Sequence, residues 1–328
     1  MTVPLRLVFL GADAIAVPLL EWLATDGAGL AQVTGVFTQP DRPVGRGQKI
    51  VPNAVKAWAL ARGLPVFQPE KLAPEARAQL ASLAADVGLV MAYGHILRDE
   101  FMSTPRLGML NLHTSLLPKY RGASPIQAAV ASGDRETGVT LMRIVRKLDA
   151  GPLAGVERVP IAPVDTAADV EMKLAAACVP LLGRALPCLA AGSLLFAGQD
   201  DAAATYCRKL TKEDGALDFT APAAVLAARI NGLFPWPGCR VELHGQPIKL
   251  GLADVCHLLD DKCSAAGGVV GADAHGLLVA TGGGVLRLRK LQRPGGRMLL
   301  APEFLRGFPM QPGVILPSRP MPPLVTRR

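Results

Sequence analysis

The sequence lacks the usual signs of a metal site, a disulfide framework or a membrane span. Its cysteines form no Cys-x-x-Cys pair and have no histidine at a matched spacing, so we expect reduced, buried thiols and no metal. No unbroken apolar run has the length of a membrane helix, and the N-terminus lacks a signal-peptide layout. These absences favour a cytoplasmic protein without a membrane partner. The six cysteines are Cys178, Cys188, Cys207, Cys239, Cys256 and Cys263.

Positive charge is present but unevenly distributed. Residues 207–328 carry 16 Lys or Arg and nine Asp or Glu, whereas residues 1–206 carry 19 and 18, so most of the formal net charge of +8 lies in the C-terminal part. A basic region of this kind suits a polyanionic partner such as nucleic acid, although it can also serve solubility alone. No coiled coil or other assembly signal is present, so a monomer is the default.

The first part of the chain alternates strand-like and helix-like segments. The strand-like runs are continuously apolar, which indicates burial on both faces and predicts an α/β domain with a doubly wound, mostly parallel sheet. Ligands of such sheets bind beyond the carboxyl ends of the strands. The predicted strands are residues 5–10, 33–37, 87–92, 109–112, 139–144 and 153–159, and the predicted helices are residues 18–24, 54–62 and 166–190.

The 328 residues exceed the usual size of one domain, and the pattern changes after residue 206. Short strand-like pieces separated by turn formers then predict a small OB-like β-barrel. We therefore expect a catalytic domain over residues 1–190, a linker over 191–206, a barrel over 207–312 and a Pro-rich tail over 313–328, extended or partly disordered. The predicted barrel strands are residues 240–243, 248–253, 268–270, 276–280 and 285–290.

The most informative segment is residues 111–122, Asn-Leu-His-Thr-Ser-Leu-Leu-Pro-Lys-Tyr-Arg-Gly. It follows a short buried strand, so Asn111 and His113, two positions apart, should emerge on the same face. An amide can donate to a developing oxyanion, and an imidazole can move a proton near neutral pH. A bare Asn-x-His pair, however, often only satisfies the backbone of a turn.

Its full context resembles the signature of the folate-dependent formyltransferases, in which an Asn-x-His-x-Ser-Leu-Leu-Pro run precedes Tyr-Arg-Gly and a Pro-Ile helix start, here Pro125-Ile126. The resemblance implies 10-formyltetrahydrofolate as co-substrate, with no metal. It also implies that Asp149, on the Leu-Asp-Ala-Gly loop, completes a catalytic trio with Asn111 and His113. On turn statistics alone, an Asp-x-Gly sequence is usually just a turn. The implied folate-binding wall consists of Ser115, Leu116, Leu117 and Pro118.

Residues 38–49 form an unusually long loop with two arginines and one lysine among Gly and Pro. They are either a solvated surface loop or a segment that reaches phosphates. The loop is similar to the one with which some members of the family engage a tRNA acceptor arm, which implies that Arg42, Arg46 and Lys49 bind methionyl initiator tRNA. Residues 206–238 resemble the start of those members' C-terminal barrel. Taken singly, Trp236 is interpreted as a packing anchor rather than a base-stacking platform.

Three alternatives remain at this point. The acceptor is methionyl initiator tRNA, or a small amine such as a nucleotide or amino sugar, or the protein is a non-catalytic nucleic-acid-binding protein. The basic C-terminal part argues against the second and the chemistry of residues 111–122 against the third. Residues 11–16, Gly-Ala-Asp-Ala-Ile-Ala, depart from the family's Gly-Thr-Pro-x-Phe-Ala, so the first βα turn lacks the Pro and the aromatic residue of that pattern. His95 is interpreted as a loop residue without a catalytic role.

Overall fold

A computed structural model describes residues 3–44, 49–257 and 264–327. The chain divides into two compact units. The first contains the residues up to 121 together with 138–159 and 172–204, and the second contains residues 122–137 and 160–171 with the remainder from 205 onward. Each unit is therefore assembled from segments that are not continuous in the sequence.

The helices and strands follow the predicted alternation closely in the first part of the chain. The strands are β1 Leu5–Leu10, β2 Ala31–Phe37, β3 Arg42–Val44, β4 Lys49–Val51, β5 Val66–Phe67, β6 Val87–Val90, β7 Met109–His113, β8 Arg121–Gly122, β9 Glu136–Arg143, β10 Leu153–Pro160, β11 Tyr206–Cys207, β12 Cys239–Leu243, β13 Gln246–Cys256, β14 Val269–Ala272, β15 Leu277–Ala280, β16 Val285–Gln292, β17 Leu299–Leu300 and β18 Val325–Thr326. The helices are α1 Val17–Ala24, α2 Ala54–Leu60, α3 Pro74–Ser82, α4 Asp99–Met102, α5 Pro125–Ala131, α6 Ala167–Ala190, α7 Ala223–Gly232 and α8 Ala301–Gly307, with 3-10 turns at Ala14–Ala16, Asp201–Ala203 and Lys212–Gly215.

A seven-stranded sheet in the order β10-β9-β7-β6-β1-β2-β5 organises the first unit. Neighbours from β7 to β5 are parallel, whereas β9 runs antiparallel to β7. The chain moves from β1 outward to β2 and β5, and then returns to the other side of β1 as β6. The carboxyl ends of β1, β6 and β7 therefore lie at the topological switch point, where open α/β sheets bind ligands. The predicted doubly wound, mostly parallel sheet is confirmed.

Local sequence accounts for the way the chain leaves the first strands. Gly11 follows β1, and any Cβ there would overlap the Met91 carbonyl oxygen. Asp13 then caps the first 3-10 turn by accepting a hydrogen bond from the Ile15 amide at 3.1 Å. This carboxylate cap gives the unusual 11–16 turn a defined start without the Pro and Phe expected from the resemblance.

Helix α6 lies where it was predicted and is more apolar than the absence of an unbroken apolar run suggests. By length and composition alone it could cross a membrane. One such helix is weak support for a span, because core helices pass the same test. Here Leu174, Cys178 and Leu182 are fully buried, whereas Met172 is 67% exposed. The helix therefore has one packed face and one open face.

The second unit contains the strands predicted after residue 206, and they pair antiparallel. They follow the order β12-β13-β16-β15-β14, and β17 adds to β16. Helix α7 packs against β13, and the buried Asn231 joins the two through hydrogen bonds of 2.9 Å to the amide and the carbonyl of Ala253. Each polar group of the amide is therefore satisfied at a point where the β13–β16 register shifts.

The C-terminal segment is extended, as predicted, but it is packed rather than partly disordered. Val325 and Thr326 pair with β11, and the amide of Val269 donates to the Val314 carbonyl oxygen at 2.8 Å. Leu316 is 1% exposed. The prolines remove helix-forming donors, but buried side chains and backbone pairing hold the segment in place.

Four of the five described cysteines are buried, as expected, whereas Cys188 is exposed. Burial raises the pKa of the Cys178 thiol to about 12. It raises the pKa of the Cys239 thiol by a similar extent, to about 12. These two thiols are therefore packing groups rather than nucleophiles. Cys263 lies outside the described residues.

Candidate active site

Asn111 and His113 lie at the carboxyl end of β7, on the same face of the strand. His113 is 6% exposed, and Asn111 is partly buried. Within the described part of the chain, no hydrogen bond of the Asn111 side chain is observed. Its amide can therefore donate to a reacting group without first breaking an internal contact.

The orientation of the His113 ring fixes which nitrogen serves chemistry. Nε2 lies 2.8 Å from the Tyr120 carbonyl oxygen. Because a carbonyl only accepts, Nε2 carries a proton in both the neutral and the charged ring. Nδ1 is therefore the atom that gains and loses a proton, and it faces Oδ2 of Asp149 at 3.7 Å. That separation is too long for a direct hydrogen bond but close enough for attraction once the imidazole is protonated.

Asp149 lies on the loop between β9 and β10, with its side chain 15% exposed. Its φ of 46° is in the left-handed region, which Asp tolerates better than most residues. The Ala150 amide donates to the Lys147 carbonyl oxygen at 3.2 Å, closing a turn that directs the carboxylate toward His113. The three side chains predicted to form the catalytic trio are thus brought together at one edge of the sheet.

The predicted folate wall is a loop closed by its own hydrogen bonds. Ser115 Oγ donates to the Lys119 carbonyl oxygen at 2.6 Å, and Thr140 Oγ1 donates to the Ser115 carbonyl oxygen at 2.6 Å. Ser115 is fully buried and Leu117 is 7% exposed. Their side chains therefore shape the loop, while Leu116 and Pro118 are only partly buried.

A cleft that sequence reasoning missed lies at the amino end of β7, at the opposite end of this strand from His113. Its volume is about 630 Å³, within the range of small-molecule sites. Its lining includes Gly108 and Met109 at the start of β7 and Arg146 after β9, but neither the trio nor residues 115–118. Only the three-dimensional pairing of β7 with β9 brings these segments together. The cleft is apolar at Met102, Met109, Ile144 and Val145 and is rimmed by Arg106 and Arg146.

The predicted tRNA-contacting loop is a two-stranded hairpin, β3 and β4. Arg42 and Lys49 lie on it and are exposed, whereas Arg46 lies outside the described residues. The hairpin base is fixed, because Asp41 pairs with Lys56 and accepts a hydrogen bond from Gln68 at 2.9 Å. These bonds, led by that of Lys56, hold the Asp41 pKa below its usual value. A fixed base with exposed cations suits contact with a polyanion.

His95 and Trp236 were also interpreted from the sequence, and the structure shows their surroundings. The His95 ring packs at a tilt of 57° against Tyr93, with ring centroids 5.0 Å apart. Burial, followed by the charge of Arg42, lowers the pKa of His95. Its place on the loop after β6 agrees with the prediction of a loop residue; the absence of a catalytic role stays a prediction. Trp236 is 51% exposed, so about half of its surface is packed and half is open, and its role as a packing anchor stays a prediction. Exposed between prolines, it offers a flat aromatic surface.

The comparisons with known proteins agree with this geometry. Residues 5–186 match the family described as Formyl transferase, and residues 209–309 match Formyl transferase, C-terminal domain. A protein of Ectopseudomonas mendocina named methionyl-tRNA formyltransferase is 43% identical over 95% of this chain and 98% of its own length. A protein of the same name from Pseudomonas syringae pv. tomato is 44% identical over 91% of this chain and 93% of its own.

Solved structures show the same fold at much lower identity. The crystal structure of WlaRD, a sugar 3N-formyl transferase with dTDP and 5-N-formyl-THF, gives a TM-score of 0.65 at 16% identity, covering 89% of this chain and 99% of that one. HypX from Aquifex aeolicus in complex with tetrahydrofolic acid gives 0.60 at 15% identity, covering 96% of this chain and 51% of that one. At such identities the likeness concerns the fold.

Proposed function

Because this chain belongs to the formyl transferase family, we propose that it transfers the formyl group of 10-formyltetrahydrofolate to the amino group of methionyl initiator tRNA. The observation that carries the proposal is the convergence of Asn111, His113 and Asp149 at the switch point of the sheet. The choice of substrate is supported by relatives that are similar over nearly the full length and are named methionyl-tRNA formyltransferase. The proposal also places the protein in the cytoplasm, where initiator tRNA is charged, and the monomeric state stays a prediction.

The chemistry proposed for the trio follows from its atoms. The acceptor amine attacks the formyl carbon, and the carbonyl oxygen becomes an oxyanion to which the Asn111 amide donates. His113 Nδ1 accepts a proton from the attacking amine and donates it to N10 as the C–N10 bond breaks, while Nε2 stays bonded to the Tyr120 carbonyl oxygen. The Asp149 carboxylate lies 3.7 Å from Nδ1 and attracts the imidazolium that forms during this transfer. The leaving group is the N10 nitrogen of tetrahydrofolate, which departs protonated.

The folate is proposed to lie beside the trio, beyond the carboxyl ends of the strands, and to contact the 115–118 loop. A flat heteroaromatic ring can pack against the partly buried Leu116 and Pro118 of this loop. The buried Ser115 hydroxyl then acts through the shape of its loop rather than by touching the ligand.

The acceptor is proposed to contact the hairpin and the basic part of the chain after residue 206. Arg42 and Lys49 are exposed on a hairpin with a fixed base, and residues 207–328 carry 16 basic against nine acidic side chains. Within the proposed 207–312 domain, the exposed Trp236 adds a stacking surface. A small amine would require neither feature, so it remains the second candidate.

A formylation assay tests this function directly. Wild-type protein with 10-formyltetrahydrofolate should formylate methionyl initiator tRNA and leave free methionine largely unmodified. Asn111→Ala, His113→Ala and Asp149→Ala should each lower kcat by about 100-fold or more, as expected for loss of an oxyanion donor or of the proton-transfer pair. Gln79→Ala, on the exposed face of α3, is the matched control. Near-wild-type rates in all three variants, or equal use of free methionine, would refute the proposal.

A further inference from the structure

Residues 194–201 belong to the first unit and pair with other parts of it. The amide and carbonyl of Leu153 pair with those of Ala197 at 2.7 and 2.9 Å, so the segment runs beside the start of β10. The Arg143 guanidinium lies 4.5 Å from the Phe196 ring centroid. These contacts bring Gln199 to the loop that carries Asp149.

Gln199 joins a buried arginine to that loop. Its Oε1 accepts from Nε and Nη2 of Arg121 at 3.1 and 2.7 Å, while its Nε2 donates to the carbonyl oxygens of Asp149 and Gly151 at 2.8 and 2.7 Å. The amide orientation is unambiguous, because a guanidinium only donates and carbonyls only accept. In each of the four hydrogen bonds of the Gln199 amide, a donor therefore faces an acceptor.

Arg121 supplies a rigid base for this arrangement. It is fully buried, and its Nη2 also lies 2.8 Å from Oδ1 of Asp201, which in turn pairs with Lys147 on the Asp149 loop. The bonds from Lys147 and Arg121 hold the Asp201 pKa below its usual value. The preceding residue, Tyr120, presents its carbonyl to His113. The dipeptide Tyr120-Arg121 thus orients the His113 ring directly and the Asp149 loop through Gln199.

We propose that Gln199 is a positioning residue for catalysis, which sets the backbone of the Asp149 loop, and thereby the carboxylate, relative to His113 Nδ1. This inference rests on the proposed function for its kinetic test. Two donors from one amide fix the carbonyls on both sides of Ala150, in a turn where Asp149 has a positive φ. Losing them lets the loop relax, and small misplacements of a reacting group cost large factors in rate.

The variant Gln199→Glu tests the role with little change in shape. The carboxylate keeps the acceptors for Arg121 but loses both donors and repels the two loop carbonyls. We expect kcat to fall about 10- to 100-fold, with KM for both substrates changed less than about threefold. Gln79→Glu, the same substitution on an exposed helix of the same unit, should leave kcat unchanged. An unchanged kcat in Gln199→Glu overturns the proposal.

A double-mutant cycle separates positioning from a general structural role. If Gln199 acts through Asp149, then adding Gln199→Glu to Asp149→Asn should lower kcat further by less than about twofold. The same 10- to 100-fold loss in both backgrounds would overturn the inference. Gln199→Met, which removes all four bonds without adding charge, should repeat the kinetic result if Gln199→Glu folds poorly.

Amide hydrogen exchange gives a readout that needs no reaction. In Gln199→Glu, exchange over residues 148–152 should become faster, while that of residues 109–113 in β7 should not change. If wild type fails to formylate tRNA but exchange in this loop becomes faster in the variant, the proposed function fails and the positioning role of Gln199 stands. If wild type is active and exchange of the loop is unchanged in the variant, the positioning role fails and the proposed function stands.

Discussion

At the scale of residues, the candidate active site depends on which side-chain atoms already form hydrogen bonds within the protein. His113 commits Nε2 to a main-chain carbonyl, which leaves Nδ1 for chemistry. Ser115 uses its hydroxyl within its own loop, whereas Asn111 keeps its amide available. Residue type alone would not distinguish these roles, because all three side chains are polar and lie within five positions of each other.

The residues of the hairpin allow a prediction about the acceptor. Replacing both Arg42 and Lys49 with Ala should raise KM for methionyl initiator tRNA and reduce the slope of log affinity against log salt concentration by roughly 0.7–0.9 for each phosphate that is no longer neutralised. The measurement is a salt titration of tRNA binding. The control is Arg184→Ala together with Lys173→Ala, two cations on α6. An unchanged salt slope in the hairpin variant would remove these residues from the interface.

At the scale of elements, the loop between β9 and β10 is the least tolerant part of the site. Any Cβ at Gly151 would overlap the Arg143 carbonyl oxygen, which is backbone and cannot move aside without shifting β9. At Gly198, in the neighbouring segment, an added Cβ would have no other atom within 4 Å. The loop between β9 and β10 can therefore adopt this conformation only with glycine at position 151, whereas position 198 tolerates a side chain.

The variant Gly151→Ala should accordingly destabilise the protein by about 2–4 kcal/mol, in the range of severe core substitutions, and abolish most turnover. Gly198→Ala should change stability by less than about 0.5 kcal/mol. Urea denaturation and the formylation rate measure both effects. Equal stability of the two variants would contradict the close packing of Gly151 against β9.

At the scale of the whole molecule, the two compact units do not correspond to two halves of the sequence. Helix α5 belongs to the second unit, where it packs against α7. Any Cβ at Gly232 of α7 would overlap the backbone of Ala131 in α5. A break in the chain near residue 206 therefore separates elements that share one core.

Truncation to residues 1–206 should for this reason yield an unstable protein rather than an active catalytic domain. The truncation removes α7, against which α5 packs, so we expect a lower Tm than in the full chain and binding of a hydrophobic dye. Thermal unfolding monitored by circular dichroism would check this. The control is Trp236→Ala in the full chain, which keeps α5 and α7 together. A truncated protein with full-length Tm would show that α5 does not need its partner.

The sequence by itself determined the parts that local patterns encode. Continuous apolar runs predicted the buried parallel strands, short strand-like pieces between turn formers predicted the second set of strands, and the run from Asn111 to Gly122 indicated the chemistry. These succeed because strand burial and turn chemistry depend on neighbours along the chain.

Only the tertiary structure decided the support of the site. Arg121 meets Gln199 across 78 positions, and His113 on β7 meets Asp149 on the loop after β9. It also decided that α5 belongs with α7 and that the C-terminal segment is packed. The physical reason is that a buried polar group needs a partner but does not specify in sequence where that partner lies, so the pairing is fixed only when the fold brings the two segments together.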